Sequence, residues 1–279
     1  MVNLNGTLFP ADQTLFKAGN RAFLYGDRLF ETIRYQNGKL LFWEDHYFRM
    51  MGGACIFRMK IPIHFNIEFF EDEIIKTIEA CKLASNSARV RLCIYRADGG
   101  LYRPTDRSFE YLIEVDKLQS SDLCLNDKGL EIDVFHDHLK PKQALSNFKG
   151  ANSMISVLSS IYAHENGLDE VIILNSESHI CETTASNIFV VIGKSIYTPA
   201  LSTGCVDGIV RKQIIENASS WGYTLEEKDM KTFELIMADE IFLTNSIRGI
   251  QWVSAYKNKT YSNEVTSGIF DKLQRLVNA

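Results

Sequence analysis

The sequence predicts a mixed α/β and α+β protein that folds in two parts. Segments with the two-residue alternation of β-strands are interspersed with segments that have the apolar periodicity of amphipathic helices. The chain has 279 residues, 46% of them hydrophobic and 23% charged, which is enough apolar material for a large core. The polar stretch 116–129 interrupts the hydrophobic pattern. We therefore predict domains at 1–118 and 125–279, joined by a linker at 119–124.

The N-terminal part reads as short strands and two helices. Asn-Gly pairs are strong signals for tight hairpin turns, and the chain has them at positions 5–6 and 37–38. The predicted elements are a strand pair turning at 5–6, a hairpin over 28–46, a helix starting near Glu44, an amphipathic helix over 67–83, and strands over 88–96 and 109–115.

The C-terminal part alternates apolar strands with helices. Asp207 stands near a helix start, and Gly222 is a suitable helix stop. The predicted elements are strands over 130–135, 169–175, 185–192, 195–199 and 239–245, and helices over 150–166, 207–222, 232–238 and 263–278.

Composition excludes several classes of function. The net charge is −5 and no basic stripe is present, which argues against nucleic acid or an anionic membrane as partner. The N-terminus lacks a signal-peptide pattern, and no apolar run approaches the ~20 residues of a spanning helix. The six cysteines form no C-x-x-C pair, so neither a zinc site nor a disulfide framework is indicated. We expect a cytoplasmic protein.

Lys149 and Glu182 are candidates for covalent chemistry. An amine that attacks a carbonyl carbon must be unprotonated, and the helix predicted over 150–166 would place Lys149 at the positive end of its dipole, which disfavours the ammonium form. Glu182 directly precedes the apolar strand 185–192. A carboxylate at this position could keep the ring nitrogen of a bound cofactor protonated. Each residue taken alone could equally be an ordinary solvated side chain.

Three further stretches could bind an anion or another polar ligand. The helix start at Gly208, Ile209 and Val210 would offer backbone N–H groups to an anion. Arg49, on an early helix, has the side chain that pairs best with phosphate. Ser246 lies where a buried strand ends, a usual position for ligand contacts.

Three competing motifs lack their partners. Ser146-x-x-Lys149 matches the S-x-x-K of serine acyl-enzymes, but the accompanying S-D-N and K-T-G elements are absent. His136 and His138 would share one face of a strand, but no third metal ligand is nearby. No G-x-S-x-G elbow supports Ser/His/Asp hydrolysis. We predict no metal site.

Taken together, these stretches resemble the class IV aminotransferases, the fold-type IV pyridoxal phosphate enzymes. The resemblance covers nearly the whole chain, and its motifs occur in the family's order. They are "FLYGDRLFETIR" (23–34), "EDHYFRM" (44–50), the long segment from "KGANS" to "ASNIFVV" (149–191), "DGIVR" (207–211) and "ADEIFLTNSIRGIQWV" (238–253).

The resemblance implies roles for the candidates. Lys149 falls on the Schiff-base lysine and Glu182 on the carboxylate that pairs with the ring nitrogen. The phosphate contacts fall on Arg49, Ile209, Val210 and Ser246. It also implies a smaller N-terminal and a larger C-terminal domain with pyridoxal 5'-phosphate in the cleft between them. A homodimer acting on a small amino substrate is the family's usual form.

Three activities share these motifs: branched-chain aminotransferase, D-amino acid aminotransferase and aminodeoxychorismate lyase. The lyases are the most similar, because "NSIRGI" resembles their N-S-x-x-G-I segment and "RADGGLYRP" resembles their R-G-x-G-G-R-G-Y loop. Met154 stands where branched-chain enzymes have a tyrosine. The expected reaction releases pyruvate and p-aminobenzoate, a step of folate biosynthesis. Candidate substrate contacts are Arg28, Tyr102, Arg103 and Arg248.

Two differences from the family motifs leave a non-catalytic protein as an alternative. Arg28 replaces a family glycine and Val210 replaces a threonine, so a cofactor-binding protein without turnover is a further alternative. The intact Lys149 and Glu182 argue against it.

We predict that Val210→Thr binds pyridoxal phosphate more tightly than the wild type. The hydroxyl would add one hydrogen bond to the phosphate, worth about 1 kcal/mol or roughly fivefold in affinity. Cofactor titration of the two proteins measures the difference, and equal affinity would remove the idea.

Overall fold

The structure, a computed structural model, describes residues Met1–Asn278 and consists of two compact units. The first unit contains Met1–Asp122 and Phe148–Asn152, and the second contains Leu123–Asn147 and the chain from Ser153 onward. The division falls inside the predicted linker 119–124. It differs from the predicted ranges because residues 148–152, which were expected in the C-terminal domain, belong to the first unit.

The first unit is a six-stranded antiparallel sheet with three helices. The sheet order is β2-β1-β6-β5-β3-β4. The elements are β1 (Val2–Leu4), β2 (Thr7–Phe9), α1 (Arg21–Tyr25), β3 (Arg28–Gln36), β4 (Lys39–Leu40), α2 (Trp43–Ile56), α3 (Ile67–Ala80), β5 (Ala88–Arg96) and β6 (Phe109–Lys117).

Both predicted Asn-Gly turns are confirmed. Asn37 and Gly38 have φ angles of 51° and 80°, the left-handed pair that a tight hairpin turn requires. Ile33 of β3 and the alternate β5 residues Leu92 and Ile94 are fully buried, in one core with residues of α2 and α3. The opposite face of these strands carries polar and charged side chains, so the sheet has one apolar and one mixed face.

The second unit is a nine-stranded mixed sheet with four helices. Its order is β12-β11-β10-β13-β14-β7-β8-β9, with β15 paired to β14. The elements are β7 (Leu130–Lys140), α4 (Met154–Glu165), β8 (Glu170–Asn175), β9 (Ile180–Thr183), β10 (Asn187–Ile192), β11 (Ser195–Pro199), α5 (Ile209–Asn217), β12 (Thr224–Lys228), α6 (Phe233–Met237), β13 (Glu240–Asn245), β14 (Gly249–Tyr256), β15 (Lys259–Thr260) and α7 (Glu264–Asn278).

The predicted two-part α/β and α+β class is confirmed, although several strands were missed. β9 has only four residues, and β12 consists mainly of polar side chains because it is an edge strand. Neither has the alternation that marks a half-buried strand. Within residues 1–278, no helix is both long and apolar enough to cross a membrane.

The prediction that Lys149 begins a helix is wrong. α4 begins at Met154 instead of position 150. Residues 149–151 pair with β3: the Phe30 N–H donates to the Lys149 carbonyl at 2.9 Å, and the Ala151 N–H donates to the Arg28 carbonyl at 3.1 Å. Residues 149–151 thus bond to β3 instead of beginning a helix, so no helix dipole acts on Lys149 from this position.

We predict that Gly53→Ala destabilises the protein while Gly52→Ala does not. A Cβ on Gly53 would lie 2.9 Å from Leu29 and 3.1 Å from Phe148, the residue that precedes Lys149, whereas a Cβ on Gly52 would lie 3.7 Å from Phe148. Overpacking should cost Gly53→Ala about 1–3 kcal/mol. Gly52→Ala should gain up to ~1 kcal/mol of helix propensity. Urea unfolding compares the two variants, and equal stabilities would contradict the prediction.

Candidate active site

Lys149 is positioned by its backbone and by its two neighbours in sequence. Gly150 forms a bridge with Leu29 of β3, and the aromatic ring of Phe148 packs against the core of the first unit. The Lys149 Nζ lies 4.7 Å from the centroid of the Phe30 ring. The ammonium group is therefore presented next to an aromatic face on β3, at a fixed place in the first unit.

A buried ion network lies beneath this strand. Glu31 of β3 is 2% exposed, and its carboxylate accepts hydrogen bonds from Arg49 and His46 of α2. The Arg49 Nε lies 2.9 Å from Glu31 Oε1, the Arg49 Nη2 contacts Oε2, and the His46 Nδ1 lies 2.6 Å from Oε2. The predicted phosphate ligand Arg49 is thus a partner of Glu31 in this structure, and its phosphate role stays a prediction.

The network fixes the protonation of its members. Burial opposes ionisation of Glu31, but the charge of Arg49 and the contacts with His46 outweigh it and lower the pKa of Glu31 to about 2. Burial lowers the pKa of His46, although Glu31 acts in the opposite direction. Because the ionised carboxylate only accepts, His46 Nδ1 carries the proton. The other ring nitrogen, Nε2, is buried without a hydrogen-bond partner.

Glu182 lies in β9 of the second unit and is 7% exposed. Its Oε1 accepts from the Lys140 Nζ at 2.6 Å, and its Oε2 accepts from the Val206 N–H at 2.8 Å. Burial opposes the charge on Lys140, but Glu182 raises the pKa of Lys140 above its ordinary value. The carboxylate is therefore a buried member of an ion pair, and the alternative of a solvated strand-edge glutamate is wrong.

The helix start at Gly208 lacks a side-chain cap. Gly208 is the N-cap of α5 and provides no side-chain hydrogen bond to the first N–H groups of the helix. A Cβ at position 208 would lie 1.9 Å from the Asn187 Oδ1, which requires glycine there. Ile209 and Val210 are each 3% exposed, and their backbone N–H groups are the contacts that this helix start would offer to a ligand.

Asn187 connects this helix start to Glu182. The Asn187 Nδ2 donates to the Val206 carbonyl at 2.8 Å, and the Val206 N–H donates to Glu182. Asn187 also pairs with Thr244 across β10 and β13, two residues before Ser246. Hydrogen bonds and strand pairing thus connect Glu182, the start of α5 and the end of β13 within the second unit.

Ser246 sits in a turn built by its neighbour. The Asn245 Oδ1 accepts from the N–H groups of Ile247 and Arg248, at 3.0 and 2.8 Å. Its Nδ2 donates to the Ser186 hydroxyl at 3.0 Å. These three bonds hold the turn that carries the Ser246 side chain.

The candidate substrate residues are less tightly grouped. Tyr102 is 90% exposed and Arg103 is also exposed, in a loop whose carbonyls at Gly99 and Leu101 accept from the buried Arg21. Arg28 belongs to the same unit as Lys149 and Arg49. Arg248 is exposed in the second unit, and its Nη1 donates to the Gln251 side chain at 3.1 Å.

Several residues of the site escaped prediction. Lys140 escaped prediction as the partner of Glu182, because this pairing spans 42 residues of sequence. Glu31 lies in the "FLYGDRLFETIR" motif and His46 precedes Arg49 by three residues, but no local pattern shows that their side chains bond each other. Asn187 is indistinguishable in sequence from any strand-start asparagine.

One group of possible metal ligands occurs among the described residues, formed by Glu177, His179 and Asp229. Lys142 occupies it, with its Nζ 2.8 Å from Glu177. His136 and His138 are exposed on β7. Neither set carries a metal assignment.

The sequence of this chain is similar to those of known proteins. The family model of amino-transferase class IV matches residues 28–256. An aminodeoxychorismate lyase of Vibrio harveyi is 29% identical over 254 residues, covering 88% of this chain and 90% of the relative. A putative branched-chain-amino-acid aminotransferase of Methanocaldococcus jannaschii is 26% identical over 284 residues, covering 98% of this chain and 93% of the relative.

The fold is also shared with solved structures. A branched-chain amino acid aminotransferase of Thermobaculum terrenum, solved in its pyridoxal phosphate form, superposes with a TM-score of 0.86 at 22% identity. The match covers 99% of this chain and 93% of that one. The relatives include both lyases and aminotransferases, so similarity alone does not distinguish between these two reactions.

We predict that Glu31→Gln flattens the acid dependence of stability. The folded-state pKa of Glu31 lies near 2, below its ordinary 4.5, so its contribution is complete above pH ~4.5 and is lost as the pH falls towards 2. The loss for the wild type is roughly 3 kcal/mol. Urea unfolding between about pH 5 and pH 3 measures the slope. Exposed Glu44→Gln is the control, and a wild-type slope in Glu31→Gln would contradict the prediction.

Proposed function

This chain belongs to the amino-transferase class IV family, and we propose that it uses pyridoxal phosphate to release pyruvate and p-aminobenzoate from aminodeoxychorismate. The observation that carries the cofactor assignment is the chain of contacts from Glu182 through Val206 and Asn187 to the uncapped start of α5. These contacts connect a buried carboxylate with the N-terminus of a helix. The carboxylate would meet the ring nitrogen of the cofactor, and the helix N-terminus would meet its phosphate.

The residues present fit this cofactor. Glycine at position 208 lets the Asn187 side chain approach the start of α5, because any Cβ there would collide with it. The Thr244 hydroxyl is buried without a partner beside this region, and the Ser246 side chain follows two residues later. Ile209, Val210 and Ser246 would hold the phosphate, with Arg49 as a further expected contact. Glu182 would hold the ring nitrogen, and Lys149 would hold the carbonyl carbon.

Pyridoxal phosphate, when bound, supplies an electron sink for the negative charge that develops next to the substrate amine. Lys149 would hold the cofactor through its Nζ. The same nitrogen, as a free amine, would carry a proton to or from the reacting carbon of the substrate. The backbone pairing of residues 149–151 with β3 keeps that nitrogen in one place during both steps.

Glu182 keeps a proton on the ring nitrogen. Its two oxygens are already oriented by Lys140 and Val206, so little reorganisation is needed when the ligand binds. Each carboxylate oxygen has a second lone pair for the ring N–H. Lys140 would support this role through its hydrogen bond to the Glu182 Oε1.

The lyase assignment rests on the "NSIRGI" segment and on the loop at 96–104. The Asn245 side chain closes the turn at Ser246, and the loop carbonyls are held by Arg21, so both lyase-like segments are ordered parts of the molecule. Branched-chain or D-amino acid amino transfer is the alternative, supported for the former by the archaeal relative. A non-catalytic protein is less consistent with a lysine and a carboxylate held this firmly.

The proposal includes a small amino substrate, a homodimer and a cytoplasmic role in folate biosynthesis. These follow from the family resemblance and from the absence of a basic stripe, with nucleic acid and membrane excluded as partners on the same ground.

Covalent trapping of the cofactor tests the assigned role of Lys149. We expect borohydride reduction of the protein with pyridoxal phosphate to add the cofactor mass to the peptide that contains Lys149. Lys149→Ala should lose both the adduct and the visible absorption of the bound cofactor. Lys142→Ala, a nearby lysine in an exposed ion pair, should retain both. Labelling elsewhere, or no label, would overturn the assignment.

The reaction is tested by assaying products side by side. Aminodeoxychorismate should give p-aminobenzoate and pyruvate in equal amounts, and Lys149→Ala should give neither. Keto acid formation from branched-chain and D-amino acids is measured on the same preparation. Amino transfer without p-aminobenzoate would replace the lyase by the alternative.

A further inference from the structure

The loop 200–207 joins β11 to the start of α5 in the second unit. It contributes the Val206 N–H that donates to Glu182, and it leads directly into Gly208, the N-cap of α5. The only regular structure within the loop is a short 3-10 turn, Leu201–Thr203. The path of the remaining loop residues therefore depends on hydrogen bonds from outside the loop.

Asn147 supplies three of these hydrogen bonds. Its Nδ2 donates to the Leu201 carbonyl at 2.9 Å and to the Cys205 carbonyl at 2.7 Å. Its own backbone carbonyl accepts from the Asp207 N–H at 3.0 Å. A side-chain amide has two N–H donors, so both donors of Asn147 are used, and the two facing carbonyls define which way the amide points.

These bonds fix the two peptide groups on either side of Val206. The first accepts from the Asn147 Nδ2 at its carbonyl, and its N–H, that of Val206, donates to the Glu182 Oε2 at 2.8 Å. The second donates to the Asn147 carbonyl, and its own carbonyl accepts from the Asn187 Nδ2 at 2.8 Å. A peptide group is planar, so a bond at each end fixes its orientation. Asn147 therefore holds one end of both groups.

The segment that carries Asn147 is itself anchored. The Lys140 Nζ donates to the Ser146 carbonyl at 3.3 Å, and the Ser146 hydroxyl donates to the Pro141 carbonyl at 2.7 Å. The loop lies directly against this segment, because a Cβ on Gly204 would lie 2.8 Å from the Pro141 carbonyl oxygen. Asn147 thus belongs to an ordered segment from which its amide can position the loop.

The start of the loop has a separate anchor. Asn175 is fully buried, and its Nδ2 donates to the Thr203 carbonyl at 3.0 Å. This bond holds the short 3-10 turn, three residues before Val206. Loss of the Asn147 amide should therefore disturb the peptide groups at Val206 while the first part of the loop stays in place.

We propose that Asn147 is a positioning residue for the cofactor phosphate. By holding the peptide groups on either side of Val206, it orients Gly208 and the first N–H groups of α5, which follow directly in the chain. This inference rests on the proposed function and adds a residue that lies outside all the family motifs of the sequence. Asn147 acts on the phosphate through the loop.

The affinities for pyridoxal phosphate and for pyridoxal test the proposal, because the two probes differ only in the phosphate. Titration of the full-length protein without cofactor, followed by absorption, gives both dissociation constants. Asn147→Ala should weaken binding of pyridoxal phosphate roughly tenfold, as expected when two ordinary hydrogen bonds no longer fix the loop. Binding of pyridoxal should weaken much less. Asn166→Ala, which removes a similar amide bond to the Tyr162 carbonyl, should change neither affinity.

Asn147→Asp separates hydrogen-bond donation from packing. Aspartate has nearly the shape of asparagine, but its ionised side chain offers no N–H to the two carbonyls. We expect Asn147→Asp to lose at least as much affinity for pyridoxal phosphate as Asn147→Ala. A residue that only fills space would be rescued by this change, so wild-type affinity in Asn147→Asp would overturn the proposal.

Hydrogen exchange provides a readout that needs no cofactor. The N–H groups of Val206 and Asp207 should exchange faster in Asn147→Ala than in the wild type, because this part of the loop opens more often. Exchange in β8 should stay at the wild-type rate. Unchanged exchange at Val206 and Asp207 would contradict the proposal, and a general increase through the second unit would assign Asn147 to the fold instead.

The outcomes separate this inference from the proposed function. An equal loss of affinity for both probes, or no loss for either, would overturn the inference, and successful cofactor trapping at Lys149 in the wild type would still uphold the proposed function. Failure of the wild type to bind pyridoxal phosphate would overturn the proposed function, and the inference that rests on it would fall as well.

Discussion

The pairing of residues 149–151 with β3 is the constraint on which the first unit's chemistry depends. Two backbone hydrogen bonds, from the Phe30 N–H to the Lys149 carbonyl and from the Ala151 N–H to the Arg28 carbonyl, place Lys149 against one strand. That same strand carries Phe30 under the amine and the buried Glu31 on its other face. A lysine on a flexible loop would lose the fixed position that covalent and proton-transfer steps need, so the strand acts as the scaffold of the site.

Charge is handled differently on the two faces of this strand. On the core face, Glu31 is surrounded by Arg49 and His46, and its low pKa keeps a buried charge compensated. On the other face, Arg28 and Arg91 lack such a partner at their buried Nε atoms. The second unit repeats the compensated pattern at Glu182, whose oxygens accept hydrogen bonds from the Lys140 Nζ and the Val206 N–H. A buried charge with such partners avoids most of the cost of leaving water.

Sequence reasoning was accurate where the determining interactions are local. The hairpin turn at Asn37–Gly38 follows from two residues that tolerate positive φ. It failed where an element depends on distant partners. The helix predicted from position 150 begins at Met154, because residues 149–151 use their backbone groups for β3, more than a hundred residues away. The strand β9 escaped because four residues carry too little periodicity, although it positions Glu182.

The sequence by itself determined the family, the two candidate residues Lys149 and Glu182, and the departure at Arg28, because motifs record residue identity and spacing. Only the tertiary structure decided which groups these residues contact. Lys149 pairs with β3 and does not begin a helix. Glu182 has Lys140 as its partner, and Arg28 and Arg91 lie on either side of Phe30. These contacts join residues far apart in the chain, and no local pattern encodes the packing that brings them within hydrogen-bonding distance.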